Sequence, residues 1–165
     1  MSGENVTLDA ENKKDAAVDQ MKHDLGAGIR LQSGQAVGRQ IQIPNSYIAL
    51  DLETTGLNPK QDKIIEIGAV KVVDGAITER FSTFVNPDVP IPFDIEKLTG
   101  INDAMVLPYP PIDVILPQFL EFVGDSALVA HNAGFDVGFI SHYAEEQGLP
   151  FQPTVLDTVS LARLL

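Results

Sequence analysis

The chain has 165 residues, of which 44% are hydrophobic, and a formal net charge of −12 at pH 7. This length and composition fit one packed globular domain, and the absence of cysteine excludes disulfides and thiolate metal sites. The acidic surplus argues against tight binding of long duplex nucleic acid by this chain alone, because such binders usually carry a basic footprint.

The first 45 residues differ from the rest in composition. Residues 4–24 are rich in charged and amide side chains, and a short helix over Glu11–Leu25 would have only a narrow apolar face. Ile41–Ile43 alternates like a strand. We therefore interpret residues 1–45 as a flexible leader or linker that can add one edge strand. The sequence starts Met-Ser-Gly-Glu, without the basic region and apolar core that are typical of a signal peptide, and no apolar run is long enough to span a membrane. We therefore expect a cytoplasmic protein with no membrane partner.

Three strands are predicted next, over Tyr47–Leu52, Ile64–Val73 and Ala76–Val85. Asp74-Gly75 joins the second and third, and this dipeptide is typical of a tight hairpin. The three strands should therefore run antiparallel.

An irregular segment and a short helix should follow these strands. Asn86–Pro92 contains three prolines and should lack regular structure. Asp94 can then cap a helix over Ile95–Leu98, which Gly100 would end.

Helices and strands alternate in the remainder of the chain. A helix is predicted over Ile112–Val123, which Pro117 can bend or shorten, then a buried strand over Ala127–Ala130 and a helix over Asp136–Gln147. The last predicted elements are a brief strand over Val155–Leu156 and a helix over Asp157–Leu165. Three antiparallel strands followed by alternating helices and strands fit an α/β fold with a ribonuclease H-like mixed sheet.

Two carboxylates, Asp51 and Glu53, lie at the end of the first predicted strand. Residues i and i+2 of a strand point to the same face, so the two negative charges should share one small space. A divalent cation would offset their repulsion, and hard oxygen ligands favour Mg²⁺ or Mn²⁺. The alternative is a solvated strand end without a ligand.

Two motifs carry a family resemblance. Residues 51–57 read Asp-Leu-Glu-Thr-Thr-Gly-Leu, and residues 131–136 read His-Asn-Ala-Gly-Phe-Asp. Both resemble motifs of the DEDD 3′→5′ exonucleases, which include the proofreading subunit and domain of bacterial DNA polymerase III. Segments 86–92, 98–101 and 156–163 are similar to family segments in order and spacing, so the resemblance covers residues 46–165.

The resemblance implies a ribonuclease H-like fold and a two-metal mechanism. Asp51 would bridge two Mg²⁺ or Mn²⁺ ions, Glu53 would bind the ion that activates water, and Asp136 would complete the ligand shell. For Asp136 alone, a helix cap is the competing interpretation.

The resemblance also implies a set of substrate-binding residues. These are Thr54, Thr55, Gly56, Leu57, Asn132 and Phe135. Leu57 would contact the base of the 3′-terminal nucleotide, while Thr55 can equally be plain loop and Phe135 can equally be core. Among other polar residues, His131 is interpreted as structural and Asp157 as a helix cap, and the role of Glu66 is left open.

The sequence departs from the family pattern after Asp157. The family's third motif, a general-base histidine followed five residues later by a fourth aspartate, has no counterpart, since residues 158–165 contain neither residue. We therefore expect an exonuclease domain over residues 46–165 that is C-terminally truncated, lacks the general base, and turns over slowly or not at all.

The predicted function is proofreading-type 3′→5′ exonucleolytic hydrolysis at a single-stranded or frayed DNA end, with release of nucleoside monophosphates. A DNA polymerase or replication complex is the expected protein partner. Three alternatives stay open. Two are exonucleases of the same family: a free-standing or helicase-linked enzyme, and an RNA-trimming enzyme. The third is a non-catalytic module that binds metal or nucleic-acid ends or docks a polymerase.

Overall fold

The computed structural model of the chain describes residues 43–163. Predictions for residues 1–42, including the helix over Glu11–Leu25, lie outside the described residues. Within them, one sheet contains β1 (Ser46–Thr54), β2 (Ile64–Val73), β3 (Ala76–Phe84), β4 (Ala127–Ala130) and β5 (Val155–Asp157). The helices are α1 (Phe93–Thr99), α2 (Asp103–Val106), α3 (Ile112–Val123), α4 (Ala133–Glu146) and α5 (Thr158–Arg163).

The sheet is mixed, with strand order β3-β2-β1-β4-β5. Strand β2 pairs antiparallel with both β1 and β3, whereas β4 pairs parallel with both β1 and β5. Parallel neighbours need long crossover connections, and here those connections contain helices. This arrangement confirms the predicted α/β, ribonuclease H-like order.

The predicted boundaries of β2, α3 and β4 match the structure. The hairpin is confirmed as well, because Asp74 and Gly75 both adopt positive φ angles of 51° and 81°. Such a pair of left-handed residues matches the right-handed twist of the flanking strands. Pro117 lies inside α3 without shortening it.

The segment after β3 differs from its prediction. Helix α1 begins at Phe93, and its N-cap position is Pro92 with no side-chain cap, so the capping role predicted for Asp94 is wrong. Gly100 ends the helix in a left-handed conformation, as predicted. The four-residue helix α2 was not predicted; the Asn102 side chain caps it by accepting a hydrogen bond from Met105 N at 3.0 Å.

The two faces of the sheet bury different clusters. On one face, alternate residues of β1 (Ile48, Leu50 and Leu52) pack with apolar residues of α3 and α4. On the other, Tyr47 and Ala49 pack in a smaller cluster with residues of β2 and β4. Period-2 alternation along β1 therefore continues, beyond Ala49, onto Asp51 and Glu53. None of the helices in the described part is both long and apolar enough to cross a membrane.

Candidate active site

Asp51 and Glu53 lie near the C-terminal end of the central strand β1. Both belong to the face opposite the helix-packed core, as their alternation with Leu50 and Leu52 requires. Asp51 is exposed and Glu53 is half-buried. The predicted placement of two carboxylates on one face of a strand end is thus found in the fold.

Asp136 reaches the same strand from a distant part of the chain. Helix α4 begins at Ala133, three residues earlier than predicted, because Asn132 takes a left-handed conformation (φ 57°) at the N-cap position. Asp136 therefore sits in the first helical turn rather than at the cap. Its Oδ1 accepts a hydrogen bond from Leu52 N at 3.0 Å, across 84 residues of sequence.

The local strand pairing explains this contact. Strand β4 pairs with β1 only from Tyr47 to Ala49, so it supplies no partner to β1 further along. The Asp136 carboxylate takes that place at Leu52, between Asp51 and Glu53 in sequence. A backbone hydrogen bond thus fixes the third acid against the strand that carries the other two.

The three acids interact electrostatically. The pKa of Asp136 is raised to about 7, mainly by burial, then by the nearby charge of Asp51, with a smaller contribution from Glu53. The hydrogen bond from Leu52 acts in the opposite direction. Asp136 is only 4% exposed, so little water screens these charges. Burial and the neighbouring charges therefore favour the neutral form of Asp136 over its carboxylate.

The chemistry of this donor set fits a hard divalent cation. Carboxylate oxygens are the ligands that Mg²⁺ and Mn²⁺ prefer, and a bound cation would offset the repulsion that raises the Asp136 pKa. Across residues 43–163, however, no three acidic or histidine side chains are gathered tightly enough to form a ready-made metal cluster. The charge and the oxygen donors of these residues therefore suit a divalent cation, although the side chains are not arranged as a preformed coordination shell.

Glu66 is a fourth acidic side chain at this place, and its role could not be assigned from the sequence. It lies directly opposite Glu53 in the β1–β2 pairing and is only 9% exposed. Directly opposite residues of an antiparallel pair share a face, so Glu66 faces the same side as Glu53. The pairing of Glu66 with Glu53 depends on the strand register, which could not be predicted from the sequence.

The loop after β1 is closely hydrogen-bonded. Thr54 Oγ1 donates to Gly56 O at 2.6 Å, Lys63 N donates to Thr55 Oγ1 at 2.9 Å, and both threonines are buried. Leu57 is 83% exposed on the same loop. The threonine hydroxyls thus shape the loop, and the predicted contact of residues 54–57 with a nucleotide stays a prediction.

The second motif forms the turn between β4 and α4. Asn132 is exposed, and its backbone N–H donates to Asp157 Oδ1 at 3.1 Å. The same Asp157 oxygen accepts from Val159 N at 3.0 Å, which agrees with the predicted capping role. Phe135 is half-buried against the main core, with its ring 5.0 Å from that of Phe139. His131 Nδ1 lies 3.1 Å from Thr158 Oγ1, a contact that suits its structural interpretation.

The fold is a ribonuclease H-like mixed sheet with acidic side chains near the end of its central strand. The family model described as "Exonuclease" matches residues 48–165, which is more than half of the chain. The chain belongs to this exonuclease family.

Three similar proteins illustrate the relationship. The chain is 53% identical over 128 residues to the PolC-type DNA polymerase III of Clostridium perfringens, matching 78% of this chain and 9% of that protein. It is 43% identical over 122 residues to the DNA polymerase III epsilon subunit of Aquifex aeolicus, with 73% and 60% covered. A solved structure of exonuclease X with 5′-overhanging duplex DNA superposes with a TM-score of 0.55 at 36% identity, covering 71% and 62%. The chain thus spans about a tenth of the PolC-type relative and three fifths of the epsilon subunit.

Proposed function

We propose that this chain is a 3′→5′ exonuclease domain that hydrolyses the terminal phosphodiester of DNA with divalent cations held by Asp51, Glu53 and Asp136. The observation that carries the proposal is the hydrogen bond from Leu52 N to Asp136, which anchors a distant acid beside the two acids of β1. The exonuclease family match supports the reaction class.

Each acid has a separate part in this proposal. Asp136 is held in place by backbone, whereas Asp51 is exposed on the opposite face from the helix-packed core, and we propose that it contacts both a cation and a phosphate. Glu53 lies two residues further along the same face. Bound Mg²⁺ or Mn²⁺ would supply a water of lowered pKa and charge stabilisation for the attacking and leaving oxygens. We propose two ions of this type.

The loop and turn beside the acids would receive the strand end. We propose that Thr54, Thr55 and Gly56 line the site on the loop side and that the exposed Leu57 contacts the terminal base. Asn132 and Phe135, at the start of α4, are the proposed contacts on the other side. An exposed leucine is a suitable surface for a base because it offers apolar area at little cost to the fold.

The substrate and partners follow from the relatives by analogy. We propose a single-stranded or frayed DNA 3′ end as substrate, and a DNA polymerase or replication complex as partner, since similar proteins are named as parts of DNA polymerase III. A recessed 3′ end is worth testing too, because exonuclease X was solved with 5′-overhanging duplex DNA.

A non-catalytic module that binds DNA ends is the second candidate. It is favoured by the lack of a ready-formed metal cluster within residues 43–163. In that case the acids would bind a cation weakly, and the chain would hold an end without cleaving it.

The test compares hydrolysis of two labelled single strands in Mn²⁺, one blocked at its 3′ terminus and one blocked at its 5′ terminus. The proposed function predicts stepwise shortening of the 5′-blocked strand only. Asp136→Asn should abolish it, while Asp125→Asn should not, because Asp125 is exposed and precedes β4 at the opposite end of the sheet.

The outcomes separate the candidates. Shortening from the 5′ end, or equal rates in the Asp136→Asn variant, would overturn the proposal. Binding of the strand end without any shortening would favour the non-catalytic module.

A further inference from the structure

The loop between β1 and β2, residues 55–63, contains a half-buried acidic residue, Asp62. Asp62 Oδ2 accepts a hydrogen bond from Asn58 N at 2.8 Å, and Asp62 N donates to Asn58 O at 2.8 Å. These reciprocal bonds close the tip of the loop into a compact turn. Leu57, the residue before Asn58, projects from that turn into solvent.

Gly56 makes room for the same carboxylate. A Cβ built on Gly56 would overlap the carboxylate atoms of Asp62, closer than real Cβ contacts come. A side chain at position 56 would therefore have to displace the Asp62 carboxylate, whether or not a nucleotide also approaches Gly56. Its φ is not in the left-handed region, so space rather than backbone conformation is what a substitution would violate.

The backbone of Asp62 connects the loop to the helix that carries Asp136. Tyr143 Oη donates to Asp62 O at 2.8 Å, and Tyr143 is a buried residue of α4. The Lys63 ammonium lies 5.8 Å from the centre of the Tyr143 ring. One residue therefore fixes the shape of the loop through its side chain and the position of the loop relative to α4 through its carbonyl.

We infer that Asp62 is a positioning residue that holds Gly56, Leu57 and Asn58 in the geometry that receives the 3′-terminal nucleotide. This role rests on the proposed function, since the loop of residues 55–63 is part of the same proposed substrate-binding site. The carboxylate of Asp62 is engaged with Asn58 N, so its contribution is to order the loop rather than to bind a cation. A loop ordered before binding loses less conformational entropy when the strand end arrives.

The test is a double-mutant cycle between positions 56 and 62. Asp62→Ala removes the carboxylate, Gly56→Ala displaces it, and each should weaken binding of a fluorescent single strand by about 3- to 10-fold, measured by anisotropy in Ca²⁺. The double variant should be no weaker than either single variant, because the overlap disappears with the carboxylate. Asp62→Asn keeps an acceptor for Asn58 N and should restore most of the affinity.

Amide hydrogen exchange supplies a readout that is independent of DNA. Asp62→Ala should speed exchange in residues 55–63, while Mn²⁺ affinity and kcat stay unchanged and KM rises. Asp125→Ala, which removes an exposed carboxylate elsewhere, should change none of these quantities.

Two results would overturn the inference. The first is unchanged loop exchange in Asp62→Ala, which would show that the carboxylate does not order the loop. The second is additive losses in the double variant. A wild-type chain that neither binds nor shortens DNA would instead overturn the proposed function, and the exchange data would still report whether Asp62 orders the loop.

Discussion

On one face of β1, Ile48, Leu50 and Leu52 pack beneath α3 and α4; on the other, Asp51 and Glu53 stand beside Asp136. The four successive residues from Leu50 to Glu53 thus alternate between stabilising the fold and carrying charge. The apolar face lowers the free energy of the folded chain, whereas the acidic face raises it until a cation binds. Substitutions on the two faces should therefore separate stability from activity.

The largest expected effect belongs to the acidic face. Asp51→Asn should reduce hydrolysis by roughly 10³-fold, because charge stabilisation at the reacting phosphate is lost, and leave the fold intact. Initial rates in Mn²⁺, with thermal unfolding recorded alongside, check this expectation. A variant that keeps its rate, or that loses its fold, would break the separation of the two faces.

Asp136→Asn should alter how stability depends on pH. The folded pKa of about 7 lies above the ordinary value of 3.8, so the folded chain binds more protons than the unfolded chain between these values. The free energy of unfolding of the metal-free chain should therefore fall as pH rises from 4 to 7, by up to about 4 kcal/mol.

Urea unfolding in a chelator at several pH values measures this dependence. The Asn variant should be less sensitive to pH and more stable than wild type at pH 8. Parallel pH profiles for the two chains would contradict the electrostatic account of the site.

Leu50→Ala tests the apolar face. Leu50 is fully buried, and its truncation should cost about 3 kcal/mol of stability through lost burial and a cavity. At a temperature where the variant is folded, its Mn²⁺ affinity should equal that of wild type. A large loss of metal affinity in the folded variant would show that the two faces are coupled.

The smallest expected effect concerns Asn132, in the turn between β4 and α4. Asn132 has a φ of 57°, which glycine adopts freely and alanine does not. Asn132→Gly should stay as stable as wild type but bind a strand end about 3- to 10-fold more weakly, since it loses the amide. Asn132→Ala should in addition lose about 1 kcal/mol of stability. If Asn132→Gly binds the strand end with wild-type affinity, the Asn132 side chain does not contact DNA and only its backbone conformation matters.

Much of this arrangement is visible in the sequence because it depends on local patterns. Alternation predicts β1 and β2, the Asp74-Gly75 pair predicts the hairpin, and spacing alone puts Asp51 and Glu53 on one face. Asp136 was predicted as the third acidic ligand only through the family resemblance.

The features that sequence reasoning missed are contacts between side chains and distant backbone. The bond from Leu52 N to Asp136 spans 84 residues, and the early start of α4 depends on the left-handed Asn132. The Asp62 carboxylate beneath Gly56 and the position of Glu66 opposite Glu53 depend on loop closure and strand register. None of these contacts produces a periodic residue pattern from which it could be predicted.

Titration of Mn²⁺ into the wild type and into Asp51→Asn, Asp136→Asn and Asp125→Asn, followed by electron paramagnetic resonance, tests most directly whether acids from two distant segments form one metal site. The account predicts that wild type and Asp125→Asn bind alike and that both active-site variants lose most of their affinity. Equal Mn²⁺ binding by all four chains would contradict it.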